Sequence, residues 1–276
     1  MYGAHAVATS DATRAPLTPD TVRLDRRVAV VTGAAAGIGR AVALALARFG
    51  ADVALCDRDR DGLAQVEREI GALGRRVVAA VLDVRDGRQV RAFLDDVGDA
   101  YDRVDVLVNN AGGGFLAPFL DVSDKGQEAL VHENFTSVTH LVRAAVPLMH
   151  DGGSIVSITS IEAHRAAPGY GVYAAMKAAV ENLTKTLALE LGERRIRVNC
   201  VAPDVIPTPG VGFDLPVKTP LPYSGHADDV AGAVVYLASD LSRFVTGVTL
   251  AVDGGNAAAG GWSRGPEGFV TGGEPA

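Results

Sequence analysis

Short runs of branched apolar residues alternate with helix-period stretches along most of this chain, and that alternation restricts the fold more than any other feature. The runs lie at 28–31, 53–56, 77–82, 106–108, 154–158, 197–201 and 248–252. They are short and largely apolar, as strands are when both faces of a parallel sheet are covered. Between them come amphipathic stretches at 40–49, 62–73, 89–101, 124–150, 173–191 and 227–238. Strand and helix alternating without a break predict an α/β fold, a doubly wound parallel sheet of about seven strands with helices on both faces. No fixed-period repeat appears.

With 276 residues, 48% of them hydrophobic and 21% charged, the chain has the balance of a globular protein with one large core. A net charge of −7 argues against nucleic acid as a partner, which calls for a basic stripe. No apolar run approaches the roughly 18 residues of a membrane span. Cys56 and Cys200 sit in apolar runs, with no second thiol or histidine at metal-ligand spacing. They read as small buried hydrophobes, imply neither disulfide frame nor metal site, and fit a cytoplasmic location. Residues 1–24 have neither a basic leader nor an apolar core, so they read as a flexible arm rather than a signal peptide. Residues 203–225 hold six prolines and are expected to form a loop, a lid or a binding element. The Gly-rich residues 257–276 are expected to be partly ordered at best. Nothing divides 25–256, which is read as one domain.

The segment TGAAAGIG at 32–39 joins the first strand to the first helical run. Glycines there let the backbone bend sharply and approach a pyrophosphate, while the helix N-terminus offers free N–H groups and a positive dipole. The strand–turn–helix–strand setting separates this from a glycine turn kept for packing and makes the sheet Rossmann-like. Gly33, Ala36, Gly37, Ile38 and Gly39 are the candidate contacts. The second strand ends at Asp57, 24 residues after Gly33. A carboxylate there either accepts hydrogen bonds from the adenosine ribose and repels a 2′-phosphate, or is a solvated strand-end acid. Arg58 follows and is able to pair with a 2′-phosphate, so NADP(H) is not excluded. Asp57 and the uncharged Ala36 favour NAD(H).

Tyr173 and Lys177 stand four residues apart in a helical run, which puts them on one face. A phenol with a pKa of about 10 is a poor base near neutrality, and a neighbouring ammonium lowers it. Such a tyrosine is able to exchange a proton with an alcohol while hydride leaves the same carbon. Ser160 follows the fifth strand, thirteen residues before Tyr173, where a hydroxyl would bond the reacting oxygen. NNAG follows the fourth strand at 109–112, and Asn134 lies in the long helical stretch after it.

These residues together resemble the short-chain dehydrogenase/reductase family in its compact single-domain form. The likeness runs from about 28 to 255 and includes the glycine turn, Asp57, NNAG, the Ser160/Tyr173/Lys177 set and VDGG at 252–255. The resemblance implies that Tyr173 is the general acid/base and that Ser160 polarises the substrate oxygen. Lys177 would lower the tyrosine pKa and hold the nicotinamide ribose, and Asn134 would anchor a water in a proton relay. It also implies that Asp83 and Val84 face the adenine, that Asn110 lines the cleft, and that Ile206 and Thr208 reach the carboxamide and phosphate end. Asp204 departs from the pattern, because glycine is usual after that proline. It either touches substrate or points outward. The loop at 208–220 is short for the family.

On the substrate side, Glu162 and His164 either contact a polar substrate or belong to a solvated loop, and Phe115 with Leu116 is read as an apolar wall. The expected function is NAD(H)-dependent interconversion of a small-molecule secondary alcohol and ketone. The alternatives are an NADP(H)-dependent 3-oxoacyl-thioester reductase and a non-catalytic dinucleotide sensor. The apolar stripes at 135–146 and 180–191 pack on the sheet and, by resemblance, pair subunits into a homotetramer.

Overall fold

The computed structural model describes residues 16–150, 152–212, 219–265 and 268–271. Seven strands form one sheet: β1 (Val28–Thr32), β2 (Asp52–Asp57), β3 (Val77–Val81), β4 (Val106–Asn109), β5 (Gly153–Ile158), β6 (Ile196–Pro203) and β7 (Thr249–Val252). Their order is β3-β2-β1-β4-β5-β6-β7, and all six neighbouring pairs are parallel. The winding reverses between β1 and β4, and ligands of open α/β sheets bind at the carboxyl edge of such a switch point.

Helices α1 (Gly37–Arg48), α2 (Arg60–Ala72), α3 (Gly87–Tyr101), α4 (Asp124–Val131), α5 (Ser137–Ala145), α6 (Gly171–Glu190) and α7 (Ala227–Ala238) cover the two faces. Ala29 and Val31 pack with residues of α1, α2 and α7, whereas Val30 between them packs with α3, α5 and α6. Alternate strand residues thus enter separate cores, which is why the runs are largely apolar on both faces. Burying each such valine or leucine contributes about 1.5–3 kcal/mol. Cys56 and Cys200 are both fully buried, and burial pushes both thiols up.

Local chemistry sets the helix starts. The Asp59 carboxylate accepts from the N–H groups of Asp61 and Gly62, and Asp86 does the same for Arg88 and Gln89. α2 and α3 therefore begin two residues before the amphipathic pattern does. The stretch expected as one helix over 124–150 is broken into pieces. A π turn at His132–Thr136 separates α4 from α5, and a 3-10 turn at Val146–Leu148 ends the run. In the π turn the Asn134 amide donates to the Leu130 carbonyl at 2.9 Å, and at the end Pro147 has no N–H to offer.

At the N-terminal end the described residues depart from the expected arm. Residues 1–15 of the expected arm lie outside the described residues, but Pro19–Val22 form a 3-10 turn. Leu24 is fully buried, with its N–H on the Phe49 carbonyl at 2.7 Å. Beyond β7, a short helix α8 (Asn256–Ala259) precedes an antiparallel ribbon of β8 (Trp262–Gly265) and β9 (Gly268–Thr271). Residues 266–267 and 272–276 of the expected tail, like 213–218 of the proline-rich loop, lie outside the described residues. Among the described residues no helix is long and apolar enough to cross a membrane.

Candidate active site

The carboxyl edge of the sheet opens on a cleft of about 840 Å³. Its floor is the glycine turn. Thr32 ends β1, and its hydroxyl oxygen accepts from the N–H groups of Asn110 and Ala111, both at 3.0 Å. The Asn110 amide returns two bonds of 3.0 Å to the carbonyls of Thr32 and Gly33. Asn110 therefore lines the cleft and also fastens the turn to β4. Gly33 holds φ +63°, a conformation that favours glycine. A Cβ on Gly39 would collide with the Gly33 carbonyl oxygen, so no side chain fits there. Ala36 is extended and no side chain caps α1, which leaves the first backbone N–H groups of the helix at the cleft. Gly37 and Ile38 line the same wall, and Thr208 from the loop after β6 lies over Gly37.

Asp57 ends β2 at the next part of the wall. Its two oxygens accept from Ala35 N–H at 2.9 Å and Asp59 N–H at 3.0 Å, which fixes the carboxylate between glycine turn and α2. Asp83 lies two residues past β3 and lines the cleft with the buried Val84. The Arg85 guanidinium grips Asp83 at 2.5 Å and holds its carboxyl below the usual carboxylate range.

On the other side α6 brings Tyr173 and Lys177 to the cleft, one turn apart. The Lys177 Nζ lies 5.5 Å from the centre of the Tyr173 ring and donates to the Ile158 carbonyl at 2.9 Å. It is only 6% exposed, and burial draws its pKa down to about 8. Burial pushes the Tyr173 phenol up, while a hydrogen bond with Ser160 pulls the other way. The buried Ser160 caps a 3-10 turn at Ile161–Ala163 by accepting from Glu162 N–H at 3.2 Å. Added Cβ atoms on Gly112 and Gly114 would stand 3.1 Å from the Lys177 Nζ and the Tyr173 ring. The glycines after NN thus let backbone close on both groups.

Asn134 does not line the cleft. It is buried behind Gly113, donating to that carbonyl at 2.8 Å and accepting from its N–H at 3.2 Å. Its Oδ1 and the Lys177 Nζ both flank Gly112.

The substrate-side candidates divide. Glu162 and Asp204 line the cleft, whereas His164 and Phe115 do not. His164 instead turns to the buried Glu181, 3.1 Å away, because that carboxylate draws the ring inward. Phe115 is 45% exposed and lies against Gly126 in the first turn of α4. Asp204 is held by the Asn256 amide at 2.7 Å, and Arg165 stands 4.0 Å from it while pairing with Glu162 at 2.8 Å. Ile206, also at the wall, is buried.

Sequence reading missed several members of the site. Thr32 carried a signal as the residue opening the glycine turn, yet its partners lie 78 and 79 positions away. Tyr170, whose ring meets Tyr173 edge-on at 6.3 Å, stands one turn earlier in the same segment. Val205 and Val211 line the cleft from a loop without periodicity. Glu133 also lines it and pairs with Arg58 at 3.3 Å.

A family model described as enoyl-(acyl carrier protein) reductase matches residues 33–257. The 3-oxoacyl-(acyl-carrier-protein) reductase of Thermotoga maritima is 38% identical over 244 residues, covering 85% of this chain and 99% of that protein. The crystal structure of carveol dehydrogenase from Mycobacterium avium in complex with NAD matches with a TM-score of 0.80 and 34% identity, over 84% of this chain and 98% of that one. A blue fluorescent protein from a metagenomic library, in complex with NADPH, matches with a TM-score of 0.81 and 37% identity, again over 84% and 98%. Sheet order, cleft and a match over most of the length agree, and the chain belongs to the short-chain dehydrogenase/reductase family of oxidoreductases.

Proposed function

We propose that the protein interconverts a secondary alcohol and a ketone with NAD(H), using Tyr173 as general acid/base. The observation that carries this reading is the meeting of Tyr173, Lys177 and Ser160 in one cleft with the glycine turn. Gly33, Gly37 and Gly39, with the uncapped start of α1, form a cradle that side chains would fill and a pyrophosphate fits. The nicotinamide supplies or accepts the hydride when bound. Ser160 orients the substrate oxygen, and Tyr173 gives or takes its proton. Burial makes Tyr173 a weaker acid than a free phenol and the hydrogen bond with Ser160 opposes that; the charge of Lys177 would add to the opposing push. With a pKa of about 8, Lys177 keeps its charge at neutral pH and loses it as pH rises further. Lys177 would also hold the nicotinamide ribose, and Asn134 would join the proton path through a water at Gly112.

Asp57 supports NAD(H) over NADP(H), since its fixed carboxylate would meet the ribose hydroxyls and repel a 2′-phosphate. A second reading, an NADP(H)-dependent 3-oxoacyl-thioester reductase, is favoured by the Thermotoga maritima relative and opposed by Asp57. At the substrate end Glu162 and Asp204 present carboxylates, with Arg165 paired to the first and 4.0 Å from the second, so this end of the cleft suits a polar small molecule. A cytoplasmic homotetramer goes with this reading. The test is Tyr173→Phe against a panel of secondary alcohols and ketones, followed at the nicotinamide absorbance. Turnover should fall by about 10²–10⁴-fold while NADH still binds. Retained turnover sinks the mechanism.

A further inference from the structure

At the adenosine end of the cleft, one arginine stands where a 2′-phosphate would seek it. Arg58 directly follows Asp57, and an arginine at this place accommodates the phosphate in dinucleotide sites that take it. Arg58 is not free. Its Nη2 lies 3.3 Å from the Glu133 Oε1, and both side chains line the cleft. Glu133 comes from the π turn between α4 and α5, so the pair joins the end of β2 to the helix opposite. The carboxylate is set into the wall, 24% exposed, and the arginine, 60% exposed, reaches to it. The Ser137 hydroxyl donates to the Glu133 carbonyl at 2.6 Å and so holds the backbone that carries it.

The neighbouring arginine offers no alternative, because Arg85 spends its guanidinium on Asp83 through contacts of 2.5 to 2.9 Å. Three carboxylates (Asp57, Asp83 and Glu133) thus face two guanidiniums, each already paired. A phosphate approaching Arg58 has to displace Glu133 or share the guanidinium with it, and at this range like charges repel. The exposed pair contributes little to folding. Its consequence lies in selectivity.

We propose that Glu133 is a second determinant of cofactor choice: by holding Arg58 across the cleft it denies that arginine to a 2′-phosphate. The inference rests on the NAD(H) reading above and adds to it a residue 76 positions from Asp57. Glu133 acts on the phosphorylated ligand through Arg58, where Asp57 acts on the ribose directly.

The experiment is calorimetric titration of the full-length protein with NADH, NADPH, ADP and 2′,5′-ADP, for the wild type, E133Q, E133V and R58Q/E133Q. The affinity ratio between each phosphorylated ligand and its unphosphorylated counterpart is the readout, so that a general loss of binding cancels. In E133Q and E133V the ratio should move about tenfold toward the 2′-phosphate, on the scale of a single charge-assisted hydrogen bond. In R58Q/E133Q it should return toward the wild-type value. A ratio within twofold of wild type in both single variants overturns the proposal, as does a shift that survives loss of Arg58. Tighter wild-type binding of NADPH and 2′,5′-ADP is a different failure. It refutes the NAD(H) reading itself and removes the selectivity that Glu133 is argued to support.

Discussion

A methyl group is the smallest change that tests the cradle. At Gly39 it would overlap the Gly33 carbonyl oxygen and the Asn110 amide nitrogen. The first is backbone, and the second is held by its two bonds to the turn, so neither is free to retreat. Gly39→Ala should therefore cost about 1–3 kcal/mol of stability by overpacking. It should also weaken NADH binding more than tenfold, because the turn must open. Thermal melting and calorimetric titration check both, and wild-type NADH affinity in this variant would show that the turn is not the cradle. The glycine spacing is readable because its chemistry is local and backbone-made. Thr32 and Asn110, which lock the turn, do not announce themselves as a pair, since a hydrogen bond across 78 residues leaves no trace in spacing. His164 and Phe115 are absent from the wall for the same reason. Partners on other elements, Glu181 and the start of α4, decide where they point.

Among the elements, α6 carries Tyr173, Lys177 and Glu181 at steps of four residues, hence on one face. The Glu181 Oε1 takes the Thr159 hydroxyl at 2.9 Å and His164 Nε2 at 3.1 Å. These two residues bracket Ser160, so one buried carboxylate ties the serine's segment to the helix of the tyrosine. Burial pushes the Glu181 carboxyl up, and Thr159 and His164 oppose that. Glu181→Ala should cost about 1–3 kcal/mol and lower kcat more than KM, as loss of alignment does. Glu181→Gln, which still accepts from Thr159, should recover part of kcat. Equal effects on kcat of the two variants would count against positioning. The π turn shows the limit of periodicity as a guide. The stripe from 124 to 150 reads as one helix, and only the Asn134 amide on Leu130 and Gly113 reveals that the ladder is interrupted.

At the scale of the whole molecule, α5 and α6 turn most of their apolar residues to the sheet. Val138, Val142 and Val180 are buried, Phe135 and Leu187 pack partly buried on the same core, and Leu189 is 83% exposed. A single exposed leucine is ordinary on a monomer, so the homotetramer rests on the resemblance to the family. Sedimentation at micromolar concentration should give the mass of four 28.5 kDa chains, and a monomer there would dismiss the homotetramer. The doubly wound sheet, the glycine turn and the Ser160/Tyr173/Lys177 set were all legible from the order of residues alone. Burial on both sheet faces, backbone approach and helical spacing act within a few residues of one another, so each leaves its mark in spacing. Which distant charges meet was settled by folding instead: Arg58 with Glu133, Arg27 with Asp240, His164 with Glu181. Ion pairing depends on distance in space, and the chain brings these partners together only when the strands have taken their order.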